Sequence, residues 1–113
     1  LETIVISPDS SADDALRLIK EHDISQLPVV EDGVPQGSLQ EAQLVELFVK
    51  QTDPKTITVR EIMGAAFPLV EASTPLEDVA KLLTRENPAV LVKAEAGSFG
   101  IITKYDLISH IAR

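Results

Sequence analysis

The chain contains no cysteine and no tryptophan, and its aromatic residues are three Phe and one Tyr. Without cysteine the fold uses neither a disulfide nor a thiolate metal site, which fits a reducing, cytoplasmic location. So few aromatic side chains argue against a base-stacking platform for nucleic acid. They also leave Val, Ile, Leu and Ala to fill the core, as in small α/β domains.

Basic residues are scarce as well, with ten Lys and Arg against eighteen Asp and Glu and a net charge of −8. Nucleic acids and anionic membranes bind clustered cations, so we expect neither as a partner. No apolar run is long enough to cross a membrane, and no signal peptide is visible. The sequence starts at Leu1 instead of Met, and we expect it to be a regulatory piece of a longer protein.

One pattern occurs twice in the chain. The apolar positions of residues 12–19 recur at 76–83, and those of residues 37–48 recur at 100–111. Each copy is too short for a well-filled core of its own, so two tandem α/β units should complete each other and leave a cleft between them. We assign residues 1–49 to repeat 1, 50–58 to a linker and 59–113 to repeat 2.

Both copies predict the element order β-α-β-β-α. The first strand is predicted at Thr3 to Ile6, and Ala12 to His22 has the apolar spacing of a helix. The turns at Glu31-Asp32-Gly33 and Ala96-Gly97 predict hairpins that join residues 27–30 to 34–39 and 89–92 to 99–102. Residues 50–55 are polar, contain a proline and predict the connector.

Two short motifs predict helix starts. In Thr74-Pro75-Leu76-Glu77 the Thr is the expected N-cap, with Pro in the first turn and Glu closing a capping box. Thr58-Val59-Arg60-Glu61 predicts a second box that opens a brief helix, with Ile62 and Met63 directed inward.

The end of the second hairpin has residues suited to a ligand. A helix that starts at Thr103 presents free N–H groups and a positive dipole end to a phosphate or carboxylate. The Thr103 hydroxyl, the Asp106 carboxylate for a ribose diol and the Lys104 cation together describe a nucleoside site. Spacing alone favours a plain helix cap, which stabilises by about 0.5–2 kcal/mol without any ligand.

Other polar residues suggest no further chemistry. His22 and His110 occupy helix ends, where a cation is favourable, and Ser10 and Ser11 precede a helix as caps. We therefore expect no catalytic residue and no metal site.

The sequence Gly100-Ile101-Ile102-Thr103-Lys104-Tyr105-Asp106-Leu107 resembles the strand-to-helix signature of CBS domains. With the repeat around it, nearly the whole chain resembles a tandem CBS pair, called a Bateman module. The resemblance implies an α/β fold of two pseudo-symmetric β-α-β-β-α repeats packed as one module. The second half is most similar to the carboxy-terminal pair of bacterial cystathionine β-synthases, which are pyridoxal-phosphate lyases.

This resemblance implies a regulatory function without catalysis in the chain itself. The module would bind AMP, ADP, ATP or S-adenosylmethionine in the cleft, with no covalent cofactor, and control the catalytic domain of its parent protein. It would also form a homodimer. Two alternatives stay open, a ligand-free dimerisation scaffold and the regulatory pair of a transporter or nucleotide-biosynthetic enzyme.

The resemblance also implies the binding residues, and it favours the ligand over the plain cap. In the family this Thr and Asp contact phosphate and ribose, and the adenine contacts come from the first copy. Ile101 should form the floor, and ordinary core packing is the alternative for the aliphatic members of the set. The adenine-binding residues implied are Thr3, Ile4, Val5, Ile24, Ser25, Gln26 and Pro28.

The corresponding site of the first copy departs from the pattern. When the two copies are aligned, Gln40 and Gln43 occupy the positions of Thr103 and Asp106. One terminal atom of a Gln is a donor, so it replaces a ribose-binding carboxylate poorly. With Phe67, Asn87 and Pro88 expected around it, this second site should be vestigial or altered.

Overall fold

The computed structural model describes residues 3–112. Its contacts divide the chain into two compact units. The first unit contains residues 4–66, and the second unit contains residue 3 together with residues 67–112. Each unit combines a small sheet with helices, so the predicted α/β class is confirmed.

The first unit is built around an antiparallel hairpin. Its helices are α1 (Ala12–His22), α2 (Glu41–Val49) and the short α3 (Val59–Ile62), and its strands are β1 (Gln26–Glu31) and β2 (Val34–Gln40). The predicted hairpin is confirmed, because Asp32 and Gly33 adopt φ of 51° and 75°, as a tight two-residue turn requires. Leu27, Val29 and Leu39 are fully buried in its core.

The second unit repeats the hairpin and adds a parallel strand. Strands β3 (Leu69–Val70), β4 (Ala89–Lys93) and β5 (Phe99–Thr103) form a sheet of that order, with β3 parallel and β5 antiparallel to β4. Helix α4 (Leu76–Leu82) connects β3 to β4, and α5 (Lys104–Ala112) follows β5 directly. The predicted turn is also confirmed, since Ala96 and Gly97 both have positive φ.

The predicted strand from Thr3 to Ile6 is wrong. Ile6 forms only an isolated parallel bridge with Val29, while the Thr3 N–H donates to the Phe99 carbonyl of the second unit at 3.3 Å. The reason is that the two ends of this apolar run bond to different sheets, Thr3 to β5 and Ile6 to β1.

The predicted start of α1 agrees with the structure, whereas the predicted start of α4 does not. Ser11 caps α1 as expected, its hydroxyl accepting from the Asp14 N–H at 3.0 Å. The Thr74 cap is wrong: Pro75 keeps an extended ψ of 143° and is itself the N-cap, so α4 starts one residue later without a side-chain cap. The Thr74 N–H instead donates to the Glu71 carbonyl at 3.0 Å in the preceding turn.

The end of the connector and the start of α3 are bonded back to the beginning of the first unit, to which they belong. The Ala12 N–H donates to the Ile57 carbonyl at 2.9 Å, and the Val59 N–H donates to the Ser10 carbonyl at 2.8 Å. Arg60 adds ion pairs from its guanidinium to Asp9 and Glu31, both at 3.2 Å. Its hydrogen bond to Asp9 is the main reason that its pKa is raised.

The capping box of α3 is confirmed and makes stability depend on pH. Glu61 Oε2 accepts from the Thr58 N–H at 2.8 Å and from the Thr58 hydroxyl at 3.0 Å. Ile62 and Met63 pack against the core as predicted. The Thr58 backbone bond, followed by its side-chain bond, lowers the pKa of Glu61.

We predict that Glu61→Gln makes the protein less sensitive to acid. Because the folded pKa is depressed, the ionised carboxylate stabilises the fold above its unfolded pKa, and this contribution is lost as pH falls through the folded value. The wild type should therefore have the higher melting temperature near neutral pH, and the difference should shrink below about pH 4. Thermal melts across pH 3 to 7 measure this; parallel curves for the two proteins would contradict it.

Candidate functional site

The junction between β5 and α5 brings Thr103 and Asp106 together. Asp106 Oδ2 accepts from the Thr103 N–H at 2.8 Å and from the Thr103 hydroxyl at 3.0 Å. The Asp106 N–H in turn lies 3.3 Å from the Thr103 hydroxyl oxygen, to which it donates. The arrangement expected from spacing alone, a helix cap, is therefore present.

This cap leaves part of the carboxylate available. Within residues 3–112, Asp106 Oδ1 accepts no hydrogen bond, and the Asp106 side chain is solvent-exposed. The first turn of α5 also contributes the N–H groups of Lys104 and Tyr105, which have no acceptor inside their own helix. The exposed Lys104 side chain starts at the same turn. The junction thus combines acceptors for hydroxyl groups with donors for an anion.

The junction between β2 and α2 has the same backbone arrangement with different chemistry. Gln43 Oε1 accepts from the Gln40 N–H at 2.7 Å, which matches the bond between Asp106 and Thr103. The Gln43 amide nitrogen lies against Gly64, where an added Cβ would be only 2.8 Å from it. A neutral amide packed beside the backbone therefore replaces the exposed carboxylate.

A polar network that the sequence did not reveal supports this first junction. Fully buried Ser38 donates its hydroxyl to the Ala65 carbonyl at 2.7 Å, and the Gln40 amide lies 3.4 Å from the Ser38 hydroxyl. Ser38 and Gly64 also exchange two backbone bonds, of 3.1 and 2.8 Å. The only signal for these contacts in the sequence was a Ser next to Leu39 in β2.

Several predicted residues of the second unit lie along β5 and its neighbours. Half-buried Ile101 is on β5 two residues before Thr103, and Thr3 bonds to Phe99 at the start of that strand. Asn87 closes a turn, its N–H donating to the Thr84 hydroxyl at 3.1 Å. That turn precedes Ala89, which is the register partner of Thr103.

The remaining second-unit residue in the prediction, Phe67, is a core residue with 3% of its surface exposed. It lies two residues before β3.

The predicted adenine contacts of the first copy occupy several positions in the first unit. Ile4 and Ile24 pack against its hydrophobic core, and Pro28 is fully buried in β1. Ser25 donates to the side chain of Gln26, which is the register partner of Gln40. Their joint role with Thr103 stays a prediction.

Val5 lies at the surface of the first unit, with 39% of its surface exposed. It lines a surface pocket of about 360 Å³ beside α1, together with Ser7, Ser10 and Arg17. Arg17 pairs with Asp14 inside this pocket, so its charge is already matched.

Metal ligands do not cluster at this site or elsewhere in the described part of the chain. Across residues 3–112 there is no group of three or more His, Cys, Asp or Glu side chains placed to hold a metal ion.

Of the helices that the structure describes, none has the length and apolar character needed to span a membrane.

Comparison with known proteins matches both halves of the chain to one family model. The family model described as "CBS domain" matches residues 2–50 and again residues 59–113. The curated "CBS domain-containing protein YhcV" of Bacillus subtilis is 26% identical over 84 residues, which are 74% of this chain and 60% of that protein. The chain therefore spans somewhat less than two thirds of that relative's length.

Solved structures resemble both repeats together. The structure of CBSX2 in complex with AMP is 29% identical, with a TM-score of 0.76, and the match covers 98% of this chain and 90% of that one. A second similar structure is that of CBSX2 from Arabidopsis thaliana, which is 27% identical with a TM-score of 0.78. The CBS domain of a bacterial CNNM/CorC family Mg²⁺ transporter is 25% identical with a TM-score of 0.80, covering 97% and 68% of the two chains.

Proposed function

This chain belongs to the CBS-domain family as a tandem pair, and on that premise we propose that it binds an adenosine phosphate at the junction of β5 and α5. Occupancy of the site would regulate a domain or subunit to which the pair is linked. The chain itself would carry out no reaction.

The observation that carries the proposal is that only one of the two Asp106 carboxylate oxygens is hydrogen-bonded within the described residues. Oδ2 serves the helix cap, while Oδ1 accepts no bond from residues 3–112. A carboxylate with a free oxygen is a suitable acceptor for ribose hydroxyl groups, and charge-assisted bonds of this kind are roughly twice as strong as neutral ones. The cap and the ligand site therefore coexist on one side chain.

A phosphate group of the ligand would bind to the hydrogen-bond donors at the start of α5. The N–H groups of the first turn of α5 and its positive dipole end favour an anion. Lys104 adds a cation close by. The structural relative CBSX2 holds AMP, which makes AMP the first ligand to test, with ADP, ATP and S-adenosylmethionine as the alternatives.

The base contacts belong to the same proposal. They would come from Thr3, Ile4, Val5, Ile24, Ser25, Gln26 and Pro28, with Ile101 as the floor. Gln40 and Gln43 would not form an equivalent site, even with Phe67 and Asn87 around it, because their arrangement lacks a carboxylate.

A partner of catalytic or transport function follows from the regulatory role. One similar structure is part of a Mg²⁺ transporter, whereas a cystathionine β-synthase-like lyase as the parent protein rests on the sequence likeness of the second half. A cytoplasmic location is likewise part of the proposal.

Self-association is the last part of the proposal, and exposed apolar helix faces support it. On α5, Tyr105, Ile108 and Ile111 expose 75, 62 and 79% of their surface. On α2, Val45 and Phe48 expose 59 and 85% at the positions that align with Ile108 and Ile111. Large apolar residues with this exposure mark interaction surfaces, and a homodimer would cover them.

A thermal-shift series tests the function directly. AMP at a hundredfold excess over its dissociation constant should stabilise the fold by about 2.7 kcal/mol. For a chain of this size each kcal/mol corresponds to roughly 4–8 °C, so the rise in melting temperature should be unmistakable. Adenosine at the same concentration separates the ribose contacts from the phosphate contacts. If AMP, ADP, ATP and S-adenosylmethionine all leave the melting temperature unchanged, the scaffold alternative replaces the sensor.

A further inference from the structure

A surface pocket on the first unit is not explained by the proposed function. Its volume is about 360 Å³, which is at the lower end of the roughly 300–1,000 Å³ typical of small-molecule pockets. The pocket lies between α1 and the segment that leads into it, within residues 4–66. Of its lining residues only Val5 belongs to the proposed base contacts. A ligand of this pocket would therefore be bound by the first unit alone.

One wall of the pocket is aliphatic. Val5 is exposed, Leu18 is half-buried and Ile6 is buried beneath them. None of the lining residues that the structure describes is aromatic, so the pocket has no ring on which a nucleobase could stack. A short branched hydrocarbon group is the kind of ligand surface that this wall would cover.

The other wall carries charges of alternating sign along α1. Asp14, Arg17 and Glu21 are three and four residues apart, so they share one face of the helix. Arg17 pairs with Asp14 Oδ1 through one guanidinium nitrogen. Within residues 3–112, Asp14 Oδ2 accepts no hydrogen bond and Glu21 forms no ion pair. The wall thus presents the remaining guanidinium N–H groups between two carboxylates.

This order of charges matches a zwitterion. The carboxylate of a free amino acid can accept from the Arg17 guanidinium, and its ammonium group can donate to Glu21. A nucleotide phosphate is disfavoured, because two carboxylates outnumber the single guanidinium. An amine alone would leave Arg17 without a ligand contact, and a carboxylic acid alone would be repelled by Glu21.

We propose that this pocket binds a free amino acid with an aliphatic side chain. Arg17 holds the carboxylate, Glu21 holds the ammonium group, and Val5 and Leu18 cover the side chain. The site does not depend on the nucleotide site, so the chain has two separate classes of ligand.

The second repeat lacks an equivalent site. Its aligned positions carry Lys81 in place of Arg17 and Arg85 in place of Glu21. A cation at residue 85 would repel the ammonium group that Glu21 attracts in the first repeat. We therefore expect one amino acid per chain.

An NMR titration of the full chain tests the site and detects weak binding. L-Leucine should cause saturable shifts of the Val5, Ile6 and Leu18 methyl signals and leave the methyl signals of β5 unchanged. Isoamylamine and isocaproate have a similar hydrocarbon group with only one of the two charges. Each should bind roughly tenfold more weakly than leucine, because one charged hydrogen bond is lost at a site that is partly open to water.

Two charge-removing variants test the assigned roles. Arg17 and Glu21 are exposed, so Arg17→Gln and Glu21→Gln should stay folded, which thermal melts verify. Each should weaken leucine binding by roughly tenfold. Lys81→Gln, at the position equivalent to Arg17, is the matched control and should bind leucine as the wild type does.

Three results would overturn the proposal: leucine that causes no saturable shift, an amine or acid that binds as tightly as leucine, and unchanged leucine binding by Arg17→Gln. The rise in melting temperature with AMP is measured on the same variants and should be unaltered. Loss of the AMP response in the wild type would contradict the nucleotide site and leave the amino-acid site standing.

Discussion

Asp106→Ala abolishes the rise in melting temperature that AMP is expected to produce. The substitution removes Oδ1, the acceptor proposed for the ribose hydroxyls, together with Oδ2, which caps α5. Loss of this half of the capping box costs about 0.5–1.5 kcal/mol with or without ligand, because the Thr103 hydroxyl can still accept from the N–H of residue 106. Loss of ligand binding removes a further stabilisation of about 2.7 kcal/mol at hundredfold excess. The variant should therefore melt earlier and no longer respond to AMP.

The first repeat supplies a control for the cap. Gln43→Ala removes a bond of nearly the same geometry, from Gln43 Oε1 to the Gln40 N–H at 2.7 Å, at a junction with no proposed ligand. This variant should lose intrinsic stability but keep the full AMP response, as measured in the same thermal-shift series. An AMP response that survives in Asp106→Ala, or disappears in Gln43→Ala, would place the site elsewhere.

Gly37→Ala is expected to destabilise the protein strongly. A Cβ at Gly37 would lie 2.6 Å from the Gly64 carbonyl oxygen and 2.7 Å from the Met63 sulfur. The backbone oxygen cannot swing away without breaking the two bonds that Ser38 and Gly64 exchange. Overpacking of a tight contact typically costs about 1–3 kcal/mol, and we expect about 3 kcal/mol here, or a fall in melting temperature of more than about 10 °C.

Gly100→Ala is its matched control at the equivalent position of the second repeat. The nearest heavy atom to a Cβ at Gly100 is Val92 Cβ at 3.9 Å, which is an ordinary contact distance. We expect thermal melts to show a change within about 0.5 kcal/mol for this variant. Equal losses of stability for the two variants would contradict the explanation that Gly37→Ala destabilises through its close contact with Gly64 and Met63.

Local signals in the sequence predicted the parts of the fold that depend on neighbouring residues. The Asp32-Gly33 turn needs positive φ, and that requirement alone specified a hairpin. The boxes at Thr58 and at Thr103 each join a Thr to an acidic residue in the next turn, and they were recognisable for the same reason. The arrangement of the candidate site was therefore predictable, including its two possible roles.

Contacts between residues far apart in the chain were not predictable. Ser38 bonds to the Ala65 carbonyl and Gly37 lies against Gly64, and neither pair produces a periodic pattern. The β-branched run from Thr3 to Ile6 predicted one strand, but Thr3 bonds to β5 whereas Ile6 bonds to β1. The capping motif at Thr74 was present in the sequence, but Pro75 has an extended backbone, so α4 begins at Leu76.

The junction at Thr103 and Asp106 is proposed to bind AMP, whereas its counterpart at Gln40 and Gln43 is not. Isothermal titration calorimetry of the wild-type chain with AMP tests this difference most directly, because the stoichiometry counts competent sites. We predict one AMP per chain. Two AMP molecules per chain would show that the glutamine junction is functional, and no measurable binding would contradict the proposal that this junction binds AMP.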